Sequence, residues 1–229
     1  DITSDIDAQL LLRNSVELAQ DSSRAKGEFL SHMSHEIRTP MNSIAGLTYL
    51  AREMVGEGRD DELRDYLNQI DQSSQYLLSL LNNIMDMSKI ESSKYEINAK
   101  PFNISSVLDE VYSVFGATMS TKGIRLTINS DAVTSPDVIG DEISLRKILN
   151  NLLSNANKFT RSGGRVTIFA SQKQMNEKSS ILHLEVADTG VGISEEFIGH
   201  LFEPYTQEMS ENGGRAAGSG LGMAICKSM

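Results

Sequence analysis

The feature that most limits the fold of this chain is a change of hydrophobic period near Lys94. Before it, Leu12, Val16, Ala19, Ser23, Lys26, Leu30, Met33 and Ile37 follow alternating steps of four and three, and only Ser23 and Lys26 are not apolar. That spacing predicts a helix with one narrow seam, because residues at those steps share a face. After a turn-forming "GEGRDD", Leu63, Leu67, Ile70, Ser74, Leu77, Leu81, Ile84 and Ser88 repeat the steps, while Leu78, Leu80, Met85 and Met87 widen the apolar face. Asp60 or Asp61 is the expected N-cap of this second helix. Two helices on a short connection form an antiparallel hairpin, and a lone hairpin leaves so wide a face in water. A homodimer closing a four-helix bundle is therefore expected; the competing arrangement packs the hairpin against the chain's own C-terminal half.

Beyond Lys94 short runs alternate with turn residues. "FNISSVLDEVYSVFGATMSTKG" reads as a capped amphipathic helix ending at Gly123, and "IRLTIN" as a half-buried strand. A helix from Asp141 to about Phe159 follows, then "RSGG" turns the chain into the strand "RVTIFASQK", whose hairpin partner is "ILHLEVAD". Helices and strands mix here in an α+β layered arrangement, with the boundary between the two halves near Ser92 to Pro101.

The length of 229 residues agrees with two domains. A net charge of −10, without any Lys/Arg cluster, argues against a nucleic-acid partner. One cysteine, Cys226, excludes an internal disulfide and a cysteine metal cluster, fits a reducing compartment, and is expected to act as a small buried apolar residue. The most apolar stretch, "YLLSLLNNIMDM", is too short and too polar for a membrane span, and no signal peptide is visible. A start at Asp1 and an end at "AICKSM" in mid-pattern suggest a piece of a longer protein.

Within "SHMSHEIRTPMN", His35 lies about 200° round the helix from Met33, hence on the outward face if Met33 and Ile37 form the seam. His32 faces away from the seam as well. Glu36 is placed to hold one imidazole nitrogen as a hydrogen-bonded N–H, or to accept its proton, leaving the other nitrogen free to attack an electrophile. Pro40 lacks an N–H and crowds the carbonyl of Glu36, so a local break in the helical ladder is expected beside the pair. "FLSHMSHEIRTPMN" resembles the phosphoacceptor box of bacterial sensor histidine kinases. The resemblance implies that His35 is autophosphorylated, that Glu36 is the adjacent acid or base, and that Thr39 serves a phosphatase activity; His32 matches no functional position.

A phosphoacceptor needs a donor, and no G-x-x-x-x-G-K-[ST] loop is present. In "NNLLSNANKF", Asn151 and Asn155 share a helical face, with Lys158 three further on: amide oxygens suit magnesium beside phosphate oxygens, and a lysine offsets phosphate charge. "ADTGVGIS" leaves a strand with two glycines that permit close backbone approach to a flat ligand, and Asp188 is placed to accept from an exocyclic amine. "GSGLG" opens the last helix, where backbone N–H groups receive phosphates. "EPYTQEMSENGGRAAG" reads as a mobile lid.

In this order "NLLSNANKF", "DTGVG", "LFEPYTQ" and "GSGLG" resemble the N, G1, F and G2 boxes of the histidine kinase catalytic domain, an ATP-binding α/β sandwich shared with gyrase-type ATPases. The resemblance implies ATP and Mg2+ as cofactors, with Asn155 as the metal ligand. It assigns Asn151, Asn155 and Lys158 to magnesium and phosphates, Asp188 to the adenine amine, and Gly190 and Gly192 to the adenine pocket. Phe202 falls at the base of the lid, and Gly218, Gly220 and Gly222 at its hinge and the phosphates. It also implies a signalling helix over 1–24, a dimerisation and phosphoacceptor domain over 25–94 and a catalytic domain over 95–229 that lacks its last strands. A response-regulator receiver domain is the implied partner, and a cytoplasmic location is implied, the parent protein being anchored in the inner membrane. An ATP hydrolase using the same pocket, and a non-catalytic dimerisation or docking module, are the alternatives. Asn151 stands where gyrase-type enzymes carry a water-activating glutamate, and an amide is a poor base, so transfer to histidine fits better than hydrolysis.

Overall fold

The computed structural model describes residues 27, 31, 33–56, 58–92, 95–176, 179–204, 206–208 and 220–229. The 1–24 extension, the heptad positions from Leu12 to Leu30, His32, Gly218 and most of the expected lid lie outside them. The chain divides into two compact units, Asp1–Ile84 and Met85–Met229.

In the first unit, helix α1 covers residues 33–54, and helix α2 runs Asp60–Glu91 across the unit boundary. Asp60 and Asp61 do not cap α2 but lie inside its first turn with Glu62. The cap position falls to Arg59, whose carbonyl accepts the first helical N–H, from Leu63, at 3.1 Å. Carboxylates in that turn still oppose the positive helix end, so the acidic run marks the start, one residue late. Met33, Ala51, Met54 and Leu80 are buried, as is Pro40, and α1 continues as helix through the proline. The break expected there is therefore confined to one missing donor. Thr39 Oγ1 donates to the carbonyl of His35 at 3.2 Å, next to the Glu36 carbonyl that Pro40 cannot serve. On α2, Leu67 and Leu81 are exposed although the heptad steps place them on the seam, whereas Leu80, expected only to widen the face, is 1% exposed.

The second unit is a two-layer α+β sandwich. Strand β1 (Lys100–Asn103) pairs antiparallel with β3 (Asp137–Gly140), a small sheet that the sequence reading lacks. Helix α3 (Ile104–Thr121) begins at Asn103, whose side chain accepts from the Ser106 N–H. It ends at Gly123, whose φ of 72° only glycine adopts without strain, and Ile124 N–H closes back on Met119. Strand β2 (Arg125–Ala132) runs parallel to β4 (Arg165–Asn176), which forms the expected antiparallel hairpin with β5 (Ser179–Asp188). The larger sheet thus has the order β2-β4-β5. Val166, Ile168 and Ala170 alternate inward with Leu182, Leu184 and Val186 of β5. They meet Ile104, Val107, Leu108, Val111 and Met119 of α3. Helix α4 (Glu142–Phe159), capped by the Asp141 carboxylate, adds Leu149, Leu153 and Ala156. Short helices α5 (Glu195–Ile198) and α6 (Gly222–Ser228) complete the described chain.

Candidate active site

Seam burial of Met33 turns His35 outward on α1, and the imidazole is exposed as the period requires. Glu36 is half-buried: the Tyr76 phenol of α2 donates to its Oε2 at 2.6 Å. Burial, and then the bond to Glu36 and its charge, push the Tyr76 phenol far above its usual pKa, so it stays protonated and a donor. Thr39 is exposed, with its hydroxyl on the His35 carbonyl. Tyr76 was not legible as a site residue, since it stands one position before a seam leucine and its contact depends on how α2 is rotated.

In the second unit, α4 is the element on which the separated motifs meet. Leu149, Leu153 and Ala156 take its inner face, which leaves Asn151 and Asn155 together on another. Asn151 faces α6: a Cβ on Gly222 would stand 3.2 Å from Asn151 Oδ1. Cys226, one turn further along α6, is half-buried rather than a core residue. Burial pushes its thiol pKa up, a shift that a hydrogen bond with the Asn151 side chain partly offsets. At the other end of α4, a Cβ on Gly190 would lie 2.7 Å from the Phe159 carbonyl oxygen and 2.6 Å from Asp188 Oδ1, so only glycine lets this turn close. The turn is tied by the Gly190 N–H donating to Asp188 Oδ1 at 2.7 Å, and Oδ2 has no partner among the described residues. Gly192 has a φ of 75° and Gly220 one of 66°. Phe202, partly exposed, lies under Lys227 Nζ of α6 at 5.3 Å from the ring centroid, which joins the segment after α5 to α6.

Lys158 is less simply placed. Its Nζ lies 4.5 Å from the centroid of the neighbouring Phe159 ring, and burial lowers its pKa. Of the lid, the described start is anchored by Thr206 Oγ1, which donates to the carbonyls of His200 and Glu203, and by the Ser194 N–H donating to Glu208 Oε1. A polar cavity of about 490 Å³ opens behind the Asp188 turn between Arg125, Arg165, Gly164 and Thr189, and none of the expected nucleotide residues lines it.

Among the described residues no three His, Cys, Asp or Glu side chains converge on a metal position. The donor chemistry on α4 is that of amide oxygens, which suit Mg2+ when phosphate oxygens complete its shell.

Residues 25–93 match the His Kinase A (phospho-acceptor) domain, and residues 140–229 the histidine kinase-, DNA gyrase B- and HSP90-like ATPase family, an ATP-binding domain. The chain is 36% identical over its whole length to the autoinducer 2 sensor kinase/phosphatase LuxQ of Vibrio parahaemolyticus serotype O3:K6, of which it spans 26%. It is 35% identical over 92% of its length to the signal transduction histidine-protein kinase BarA of Escherichia coli K12, of which it spans 22%. Among solved structures, full-length ShkA in complex with AMPPNP superposes with a TM-score of 0.59 at 30% identity, over 88% of this chain and 40% of that one. No helix among the described residues is long and apolar enough to cross a membrane. An outward histidine in the first unit, and the contacts of Gly190 and Gly222 with α4 in the second, agree with both domain matches: the chain belongs to the bacterial sensor histidine kinases and carries their phosphoacceptor and ATP-binding domains.

Proposed function

We propose that the chain binds ATP on the outer face of α4 and transfers its γ-phosphoryl group to His35. The observation that carries the reading is the meeting of Asn151 with Gly222 and of Gly190 with the end of α4, which brings amide, carboxylate and glycine positions far apart in sequence to one helix. Asp188 Oδ2 is the acceptor available to the adenine amine, Gly190 and Gly192 line the ring, Gly220 and Gly222 serve the phosphates and, with Gly218, the hinge of the lid, and Phe202 belongs to the base of that lid. Mg2+, held by Asn155 with Asn151 and Lys158 nearby, would neutralise phosphate charge. One nitrogen of His35 attacks the γ-phosphorus with its lone pair; the N–P bond forms as the bond to the bridging oxygen breaks, and ADP leaves with that electron pair. Glu36 takes or shares the proton on the other nitrogen. Catalysis is then chiefly positioning and charge neutralisation.

The exposed apolar face of the first unit supports dimerisation of the phosphoacceptor domain, and the division at 25–94 and 95–229 follows the two motifs. The phosphohistidine is passed to an aspartate of a response-regulator receiver domain, and Thr39 serves a phosphatase activity in which water hydrolyses that partner's aspartyl phosphate to inorganic phosphate. A cytoplasmic location, with the parent tethered to the inner membrane, suits these partners. His35→Gln should abolish ³²P incorporation from ATP and leave nucleotide binding intact, while Asn155→Asp should weaken both. Acid-labile label lost with His35 supports the assignment; label that persists in His35→Gln refutes it.

A further inference from the structure

We infer that Tyr76 is a positioning residue for phosphoryl transfer: its phenol holds the Glu36 carboxylate in place beside the phosphoacceptor histidine. The inference rests on the roles proposed above for His35 and Glu36.

A glutamate on a helix face turns freely about its side-chain bonds, and an acid or base that must meet an imidazole proton at one moment loses efficiency if it samples many rotamers. Here one oxygen is fixed. The 2.6 Å distance from Tyr76 Oη to Glu36 Oε2 is that of a charge-assisted O–H···O⁻ bond, the strongest ordinary class. Oε1 has no partner among the described residues and remains the proton acceptor. The Thr39 hydroxyl, one turn further along α1, is turned to the His35 carbonyl rather than to this carboxylate. The approach of the two helices is marked again by Ser73 Oγ and Ser43 Oγ at 3.4 Å, so Tyr76 lies on the side of α2 that faces α1. The tyrosine ring alone would serve packing; the hydroxyl aimed at a carboxylate does not add to it.

Tyr76→Phe keeps the ring and removes only the donor. In the full-length kinase, the kcat of autophosphorylation should fall about tenfold, a fraction of what a general acid or base is worth. KM for ATP, the thermal midpoint and the sedimentation coefficient should stay as they were. In a Glu36→Gln background the same substitution should change kcat by less than about twofold, since coupled residues are not additive. An unchanged or raised kcat in Tyr76→Phe overturns the inference. So does a loss that tracks a lowered thermal midpoint, or an equal loss in both backgrounds. His35→Gln run in parallel separates the two failures: label that survives there removes the functional reading, whereas its loss there beside an inert Tyr76→Phe removes only this inference.

Discussion

The two units bury apolar surface in different ways. In the second, thirteen buried residues among those described, from α3, α4, β2 and one face of β4, form one cluster, with eight more packed against it. In the first, Met33, Ala51, Met54 and Leu80 are buried, while Met41, Tyr49, Leu50, Val55, Leu67, Leu78 and Leu81 are exposed. The second unit closes its own core; the first presents a surface that a single chain does not cover. On the function proposed above, α4 would give a nucleotide a rigid floor, and α1 would present an accessible imidazole as phosphoacceptor.

This contrast is easiest to break in the core. Leu153→Ala should cost about 2–5 kcal/mol in the unfolding free energy of the second unit, measured by denaturant titration, as for other fully buried leucines. A cost no larger than that of an exposed Leu78→Ala would mean the cluster is not the source of its stability. Next in size, Leu78→Glu combined with Leu81→Glu should convert dimer to monomer by sedimentation while leaving the second unit's thermal transition in place. Dimers that persist would show that these side chains face solvent in the assembly too. Gly190→Ala sharpens the comparison at the site: with the Phe159 carbonyl so close, nucleotide binding should weaken about tenfold, roughly 1.4 kcal/mol, with the sheet still folded. The smallest effect concerns Asp141. Desolvation, the largest single influence, raises its pKa, but the N–H groups of Ser144, Asn98 and Ile143 and the Ser144 side chain together outweigh it and hold it below the usual carboxylate value. The stability so gained is present above that usual value and is lost as pH falls through the lowered one. Asp141→Asn should flatten this acid limb in pH-dependent melts, and an unaltered limb would assign it to other carboxylates.

Much of this was legible because periodicity reports faces. Met33 inward and His35 outward follow from the seven-residue repeat, and the β4–β5 hairpin from alternation about a turn. The motifs carry a resemblance that names the site positions, and the structure adds why Gly190 must be glycine. What was illegible depends on elements distant in sequence. The β1–β3 pair joins two four-residue strands, one containing Pro101 and the other following Pro136, too short to announce a period. Leu80 in place of Leu81 as the buried residue reflects the rotation of α2, as does the meeting of Tyr76 with Glu36. Cys226 was read as core because its type favours burial, and its neighbour Asn151 comes from another helix.

The parallel register of β2 on β4 has a kinetic consequence. Arg125 pairs with Arg165 across the whole of α4, so no stretch of nascent chain contains both strands until that helix has left the ribosome. The helical hairpin, by contrast, is joined by a few residues and is complete far earlier in synthesis. During translation, then, the phosphoacceptor domain is able to form, and to meet a second copy, before the ATP-binding domain exists.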